Sequence, residues 1–168
     1  MLLFSGLNAF GSIYLVPVVV PTFSKLLGLK ASKVRDMCAI SMAIDLTFTK
    51  LACFCAGCCE GIVVYIGNSY FQWPAQILGS CAAFSVLMLL LRIEAHGKWQ
   101  GRLYPLFMLI YGIARLVLDS FEYIPDLWLG LRPGQWYGIV SAIIGTIWLV
   151  INKNRSRKGD QQCLKGEV

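Results

Sequence analysis

The stretch Lys50-Leu-Ala-Cys-Phe-Cys-Ala-Gly-Cys-Cys-Glu-Gly61 sets a lysine and a glutamate among four cysteines and two glycines in an otherwise apolar run. The sequence on either side is equally apolar. Of 168 residues, 57% are hydrophobic and 14% charged, and the mean hydropathy is +0.65. A soluble domain of this length has no interior large enough to hide such a composition. The chain therefore reads as an integral membrane protein, in which a charge kept at depth is costly and usually functional.

Charge-free stretches cover 1–24, 61–91 and 133–152, and each holds the roughly 20 apolar residues that cross a bilayer at about 1.5 Å per residue. Two further stretches are interrupted: 37–59 contains Asp45 and Lys50, and 103–121 contains Arg115 and Asp119. Their polar stripes are expected to face the bundle. The fold class is thus an all-α membrane bundle of about five spans, at 3–24, 37–59, 76–92, 103–121 and 134–152. These form one membrane domain over 1–152, and the basic tail at 153–168 is expected to be disordered in the cytoplasm. Pro17 and Pro21 should bend the first span, and 68–74 reads as a loop dipping back before the third. Tyr65, Tyr70, Trp73, Trp99, Tyr104, Tyr123, Trp128, Trp136 and Tyr137 fall near span ends and read as aromatic belts.

Orientation follows from the basic residues, because cytoplasmic loops keep the positive charge. Lys25, Lys30, Lys33 and Arg35 follow the first span, Arg92, Lys98 and Arg102 the third, and Lys153, Arg155, Arg157, Lys158 and Lys165 the fifth. Those 12 charges lie on one side, against Arg132 alone in the loops at 60–75 and 122–133. The expected topology has the N-terminus outside and the C-terminus in the cytoplasm. The net charge of +6 then reflects topology and contact with the lipid bilayer, and no nucleic acid partner is needed to explain it. The opening run has neither a basic n-region nor a small-residue cleavage site, so the first span is expected to be retained.

Arg115 is the sharpest single residue, since a guanidinium inside an apolar span must find an acid, a carbonyl cluster or a bound anion. The i, i+4 spacing lines up Tyr111, Arg115 and Asp119, with Glu122 next on the same face. An Arg115–Asp119 pair that merely glues helices is the plain reading. The functional one is that Arg115 grips a phosphate, the polar group a lipid substrate brings to this depth. Lys50 lies about 140° from Asp45 around its helix, so each needs a partner elsewhere. For Lys50 that partner is either a lipid headgroup or the interface, reached by snorkelling.

Cys53, Cys55, Cys58 and Cys59 invite a dithiol or metal reading, but there is no second C-x-x-C, and His96 falls in an opposite loop. Small residues with glycine are also what close helix packing uses, and packing is favoured over redox chemistry, with a metal ranked third. His96 reads as a solvated loop residue. The segment 130–135 reads as a tight turn opening the last span, with Gln135 and free helix amides available to an anion.

Segment 50–61, Pro74-Ala-Gln76, Tyr111-Gly-Ile-Ala-Arg115 with Asp119, and segment 130–135 resemble, in this order, four blocks of the prolipoprotein diacylglyceryl transferase family. The first looks like G-R-x-G-[NC]-F-x-x-G-x-x-x-G at Cys53, Phe54, Gly57, Cys58, Cys59 and Gly61. The second is similar to H-P-x-Q-L-x-E at Pro74 and Gln76, and the third to Y-G-x-x-R-F-x-x-E-F-x-R at Tyr111, Gly112, Arg115 and Asp119. The fourth is similar to G-x-S-x-G-Q at Gly130, Gly134 and Gln135. The opening Phe4-Ser5-Gly6-Leu7 is similar to the family's (H/Y)-G-G-L segment. Departures from the pattern are Lys50 for arginine, Ala52 for glycine, Gly79 for glutamate, Glu122 for a second arginine, and Ser5 for His or Tyr. The family's usual seven spans exceed the five read here, and loss of the first two would preserve sidedness.

The resemblance implies an enzyme of the bacterial cytoplasmic membrane that moves a diacylglyceryl group from phosphatidylglycerol to the lipobox cysteine of a preprolipoprotein. It implies Arg115 and Lys50 as the catalytic cations, with Tyr111, Gln76, Gln135, Gly57, Gly61 and Asp119 around the substrate. No metal and no cofactor is expected. The competing classes are a small membrane thiol–quinone oxidoreductase using Cys55 and Cys58, and a non-catalytic lipid-binding subunit. Lys50 lacks arginine's bidentate fork, so weakened or altered activity is expected from that change alone. Fusion reporters at Gln72, His96, Asp126 and the C-terminus should read outside, inside, outside and inside; reversal at any two would contradict the topology.

Overall fold

The computed structural model describes residues 7–58, 61–67, 69–97, 99–122 and 130–165, with side chains throughout except at 7–10, 66 and 155–165. The Phe4-Ser5-Gly6 segment, Cys59, Lys98, Tyr123 and Trp128 lie outside these residues. Five helices and one hairpin follow in chain order: α1 (Leu7–Leu26), α2 (Ala31–Ala56), β1 (Val63–Ile66), β2 (Ser69–Gln72), α3 (Ala75–Ala95), α4 (Leu103–Leu118) and α5 (Pro133–Lys165). Each expected span overlaps one of these helices over its described residues. Among the described residues, α2, α3 and Pro133–Asn154 of α5 are long and apolar enough to cross a membrane, and Gly11–Leu26 and Leu103–Leu118 are shorter apolar segments. At about 1.5 Å per residue, α4 reaches about 24 Å, somewhat less than a typical hydrocarbon core.

The exterior is apolar, with Leu15, Val18, Phe48, Ile113 and Ile147 all more than half exposed, as a surface facing lipid chains requires. The interior gathers Ile13, Ala39, Ala43, Leu90, Tyr104, Phe107 and Met108 from four helices. The tightest contact is α4 on α5. A Cβ at Gly112 would stand 2.6 Å from Gly138 O and 2.8 Å from Ala142 N, and one at Gly145 would stand 2.7 Å from Leu109 N. Gly134, Gly138 and Ala142 recur every fourth residue, the small-xxx-small spacing that lets two backbones touch.

Four expectations change. The chain is mostly helical rather than all-α: 63–72 forms an antiparallel hairpin in the register Val63↔Gln72, Val64↔Phe71, Tyr65↔Tyr70 and Ile66↔Ser69. Its strands are rich in β-branched and aromatic residues on either side of Gly67-Asn68, a turn signal that the apolarity of 61–91 conceals. Helix α2 begins at Ala31, so Lys33 and Arg35 are helical. Asp36 turns inward and accepts from the Leu103 and Tyr104 amides at 3.1 and 3.3 Å and from that of Gly101, filling the N-terminus of α4. Tyr104 belongs to the core rather than to a belt, fully buried with its hydroxyl donated to Ile13 O. The basic tail continues α5 as helix to Lys165, with no proline to stop it.

Candidate functional site

One end of the bundle collects the last turns of α2, the hairpin, the first turn of α3, the end of α4 and the start of α5. Gly57 closes α2 in the left-handed region at φ 65°, a conformation glycine adopts without strain, and its amide donates to carbonyls of the last turn. Gln76 Nε2 donates to Cys58 O at 2.9 Å, tying α3 to the chain leaving α2. The hairpin is stitched to the segment after α4 by the bond from Ile62 N to Phe121 O at 3.0 Å and a bridge pairing Gly61 with Glu122, while Trp73 N, donating to Ile62 O at 3.0 Å, extends the hairpin itself. Trp73 stacks on Phe121 at 5.6 Å between centroids. A Cβ at Gly61 would collide with Trp73 O, so only glycine fits where these strands meet.

Within that frame lie four charged side chains. Lys50 Nζ donates to both carboxylate oxygens of Glu122 at 3.1 Å. Arg115 Nη1 lies 3.7 Å from Glu122 Oε2, and Arg115 Nε lies 3.1 Å from Asp119 Oδ1. Side-chain exposure is 18% for Lys50, 15% for Arg115, 8% for Glu122 and nil for Asp119, so the cluster is largely out of solvent. Lys50 and Arg115 face two carboxylates, and Arg132, whose Nη1 donates to the Asp119 carbonyl from the rim, adds a third positive charge beside them. Lys50 and Arg115, on different helices and 65 positions apart in sequence, thus meet at one carboxylate.

Two glycines make the arrangement possible. A Cβ at Gly134, in the first turn of α5, would collide with Asp119 Oδ2 and stand 3.4 Å from Arg115 Nη2. The Asp119 carboxylate therefore sits against the start of a helix that has no acidic residue of its own in its first turn, where the helix dipole favours negative charge. A Cβ at Gly79 would stand 3.3 Å from Lys50 Cδ and 3.4 Å from Cγ, so the lysine stem lies along a face of α3 left open by glycine.

The remaining expected residues are placed as follows. Tyr111, one turn before Arg115, stacks on Phe107 at 5.6 Å. Gln135 closes the turn into α5, its Oε1 accepting from Arg132 N at 3.0 Å and its Nε2 donating to Ser120 Oγ at 3.2 Å, so it braces α5 against α4. Cys55 and Cys58 are exposed free thiols, with Cys58 Sγ directed at Cys53 O at 3.6 Å. His96 ends α3 at the other end of the bundle, Nδ1 2.7 Å from Arg92 O, beside an open cavity of about 290 Å³ lined also by Ile93 and Trp99. Asp45 is exposed beside a small cleft with Ser12 and Ile13, away from Lys50. Helical spacing puts Glu122 on the face of Arg115, but α4 stops at Leu118 and Glu122 arrives from the segment paired with Gly61. Its bond to Lys50, 72 residues away, has no local signature.

Chemically, both cations are engaged by carboxylates, and an ammonium and a guanidinium offer the same kind of charged donors to any anion. Gly134→Ala should cost about 1–3 kcal/mol in thermal unfolding, the usual range for overpacking. In an Asp119→Ala background that cost should largely vanish, because the atom it strikes is gone. A Gly134→Ala penalty undiminished in the double variant would show that Asp119 does not occupy the cradle.

The profile of the prolipoprotein diacylglyceryl transferase family matches residues 1–151. A Clostridium tetani protein named phosphatidylglycerol–prolipoprotein diacylglyceryl transferase is 28% identical over 167 aligned positions, covering 92% of this chain and 66% of the relative. A Clostridium perfringens protein named phosphatidylglycerol–prolipoprotein diacylglyceryl transferase 2 is 26% identical over 139 positions, covering 75% of this chain and 54% of the relative. The chain thus spans between about half and two thirds of these relatives. No solved structure matches it. The match over residues 1–151, most of the length of a mostly helical membrane bundle, makes this chain a member of the prolipoprotein diacylglyceryl transferase family.

Proposed function

We propose that the chain transfers a diacylglyceryl group from phosphatidylglycerol, the donor in the names of both relatives, to the lipobox cysteine of a preprolipoprotein. The observation that carries this reading is the meeting of Lys50 and Arg115 on one carboxylate in a largely buried site. In the reaction, the substrate thiol sulfur forms a bond to the terminal glyceryl carbon of the diacylglyceryl group as that carbon's bond to the phosphate oxygen breaks. The electron pair leaves with glycerol phosphate, which also takes up the thiol proton. Arg115 holds the phosphate through two N–H donors, and Lys50 adds a point charge. Asp119 orients Arg115, and Tyr111 backs it within the bundle. Gly57, Gly61, Gln76 and Gln135 serve the substrate by holding the surrounding backbone in place.

The site lies on the outer side of a bacterial cytoplasmic membrane in this proposal. The 12-to-1 distribution of basic residues supports N-out, C-in orientation of five spans within 1–152 and a cytoplasmic tail at 153–168. A non-catalytic lipid-binding subunit is the second reading, favoured by the pairing of both cations with carboxylates. With purified protein in phosphatidylglycerol vesicles and a lipobox peptide, Arg115→Ala should abolish transfer. Lys50→Arg should preserve or raise it. Transfer unaffected by Arg115→Ala would overturn the assignment, and absence of transfer by the unmodified chain with lipid binding intact would favour the second reading.

A further inference from the structure

We propose that Glu122 is a built-in competitor for the phosphate seat, so that this one carboxylate sets the affinity of the site for anionic phospholipid. The inference rests on the reading that Lys50 and Arg115 receive the donor's phosphate. A carboxylate and a phosphodiester ask for the same thing, two negatively charged oxygens between cationic donors. In this chain that demand is already met: both Glu122 oxygens accept from Lys50 at 3.1 Å, and Oε2 lies 3.7 Å from Arg115 Nη1.

Glu122 is held in that position by contacts that do not involve its charge. Its backbone pairs with Gly61, and the preceding Phe121 accepts from Ile62 N at 3.0 Å and carries the stacked Trp73. Lys50 is directed to it from the other side along the open face at Gly79, where any larger side chain would meet the lysine stem. Asp119 does not play the same part. It is fully buried against Gly134 and faces Arg115 Nε at 3.1 Å, whereas Glu122 is the carboxylate that meets both Lys50 and Arg115.

The consequence is that an added anion meets cations already engaged by Glu122. An incoming phosphodiester must displace Glu122 from Lys50 and leave a carboxylate of 8% exposure without its cation, and a buried charge stripped of its partner is strongly unfavourable. Removing the charge of Glu122 while keeping its shape should therefore tighten binding of anionic lipid, where a merely structural residue would weaken it.

The test measures lipid affinity rather than transfer, using the full chain in detergent titrated with short-chain phosphatidylglycerol, and with short-chain phosphatidylethanolamine as the reference without net charge. Glu122→Gln should bind phosphatidylglycerol about tenfold more tightly, equivalent to about 1.4 kcal/mol, with little change for phosphatidylethanolamine. Glu122→Asp, which withdraws the carboxylate by one methylene and keeps the charge, should move affinity the same way by a smaller factor and serves if the amide variant does not fold. Phosphatidylglycerol affinity unchanged or weakened in the folded variant overturns the role of Glu122. If Arg115→Ala leaves phosphatidylglycerol affinity unchanged, the phosphate-site reading fails and takes this inference with it. Loss of binding in Arg115→Ala without a gain in Glu122→Gln rejects the competitor alone.

Discussion

Four charged side chains with little solvent around them must satisfy one another, and this requirement organises one end of the molecule. Lys50 from α2 and Arg115 from α4 share Glu122, and Arg115 also holds Asp119. Each ion withdrawn from water carries a desolvation cost that only close partners offset, and losing one partner of such a set typically costs about 3–5 kcal/mol. Around this cluster, α2 and α4 are fixed relative to each other by charge, while α4 and α5 are fixed by glycine contacts at Gly112, Gly138 and Gly145. The hairpin completes the end by pairing Gly61 with Glu122, which places that carboxylate from outside any helix.

The glycines gain their meaning from this cluster. Gly134 leaves room for the Asp119 carboxylate, Gly79 for the Lys50 stem, and Gly61 for the Trp73 carbonyl. At each of these three positions a substitution would meet another residue's atoms, and at two of them the atoms belong to the charged cluster. Three of the positions at which the sequence departs from the blocks it resembles are linked through Lys50, whose stem runs along Gly79 and whose ammonium meets Glu122. The lysine stem lies along the open face of α3, and its single charged tip ends on a carboxylate.

Much of the fold was legible because lipid imposes simple rules. Each of the five apolar stretches is a helix, and the Arg115–Asp119 contact follows from i, i+4 spacing. The hairpin was legible in principle, since Gly67-Asn68 between aromatic and β-branched runs is a turn signal, but reading 60–75 as an irregular loop passes over it. The four-residue recurrence of Gly134, Gly138 and Ala142 likewise signals the α4–α5 contact. Other features were hidden because they are long-range. Nothing near Lys50 announces Glu122, and nothing near Asp36 announces that it caps α4. Tyr104 stands at a helix end as a belt tyrosine would, and only the packing of α1 against it makes it core.

The chain belongs to the family over residues 1–151, and the ion cluster is where its charged residues from separate segments meet. The central claim is that Lys50 and Glu122 are direct partners holding α2 to the segment after α4. Charge exchange tests it most directly, by thermal unfolding of Lys50→Glu, of Glu122→Lys and of the two together. The account predicts that each single reversal lowers the unfolding midpoint by several degrees, as loss of a buried pair should, and that the double exchange recovers most of the loss. A double variant that unfolds at the sum of the two single losses would contradict it.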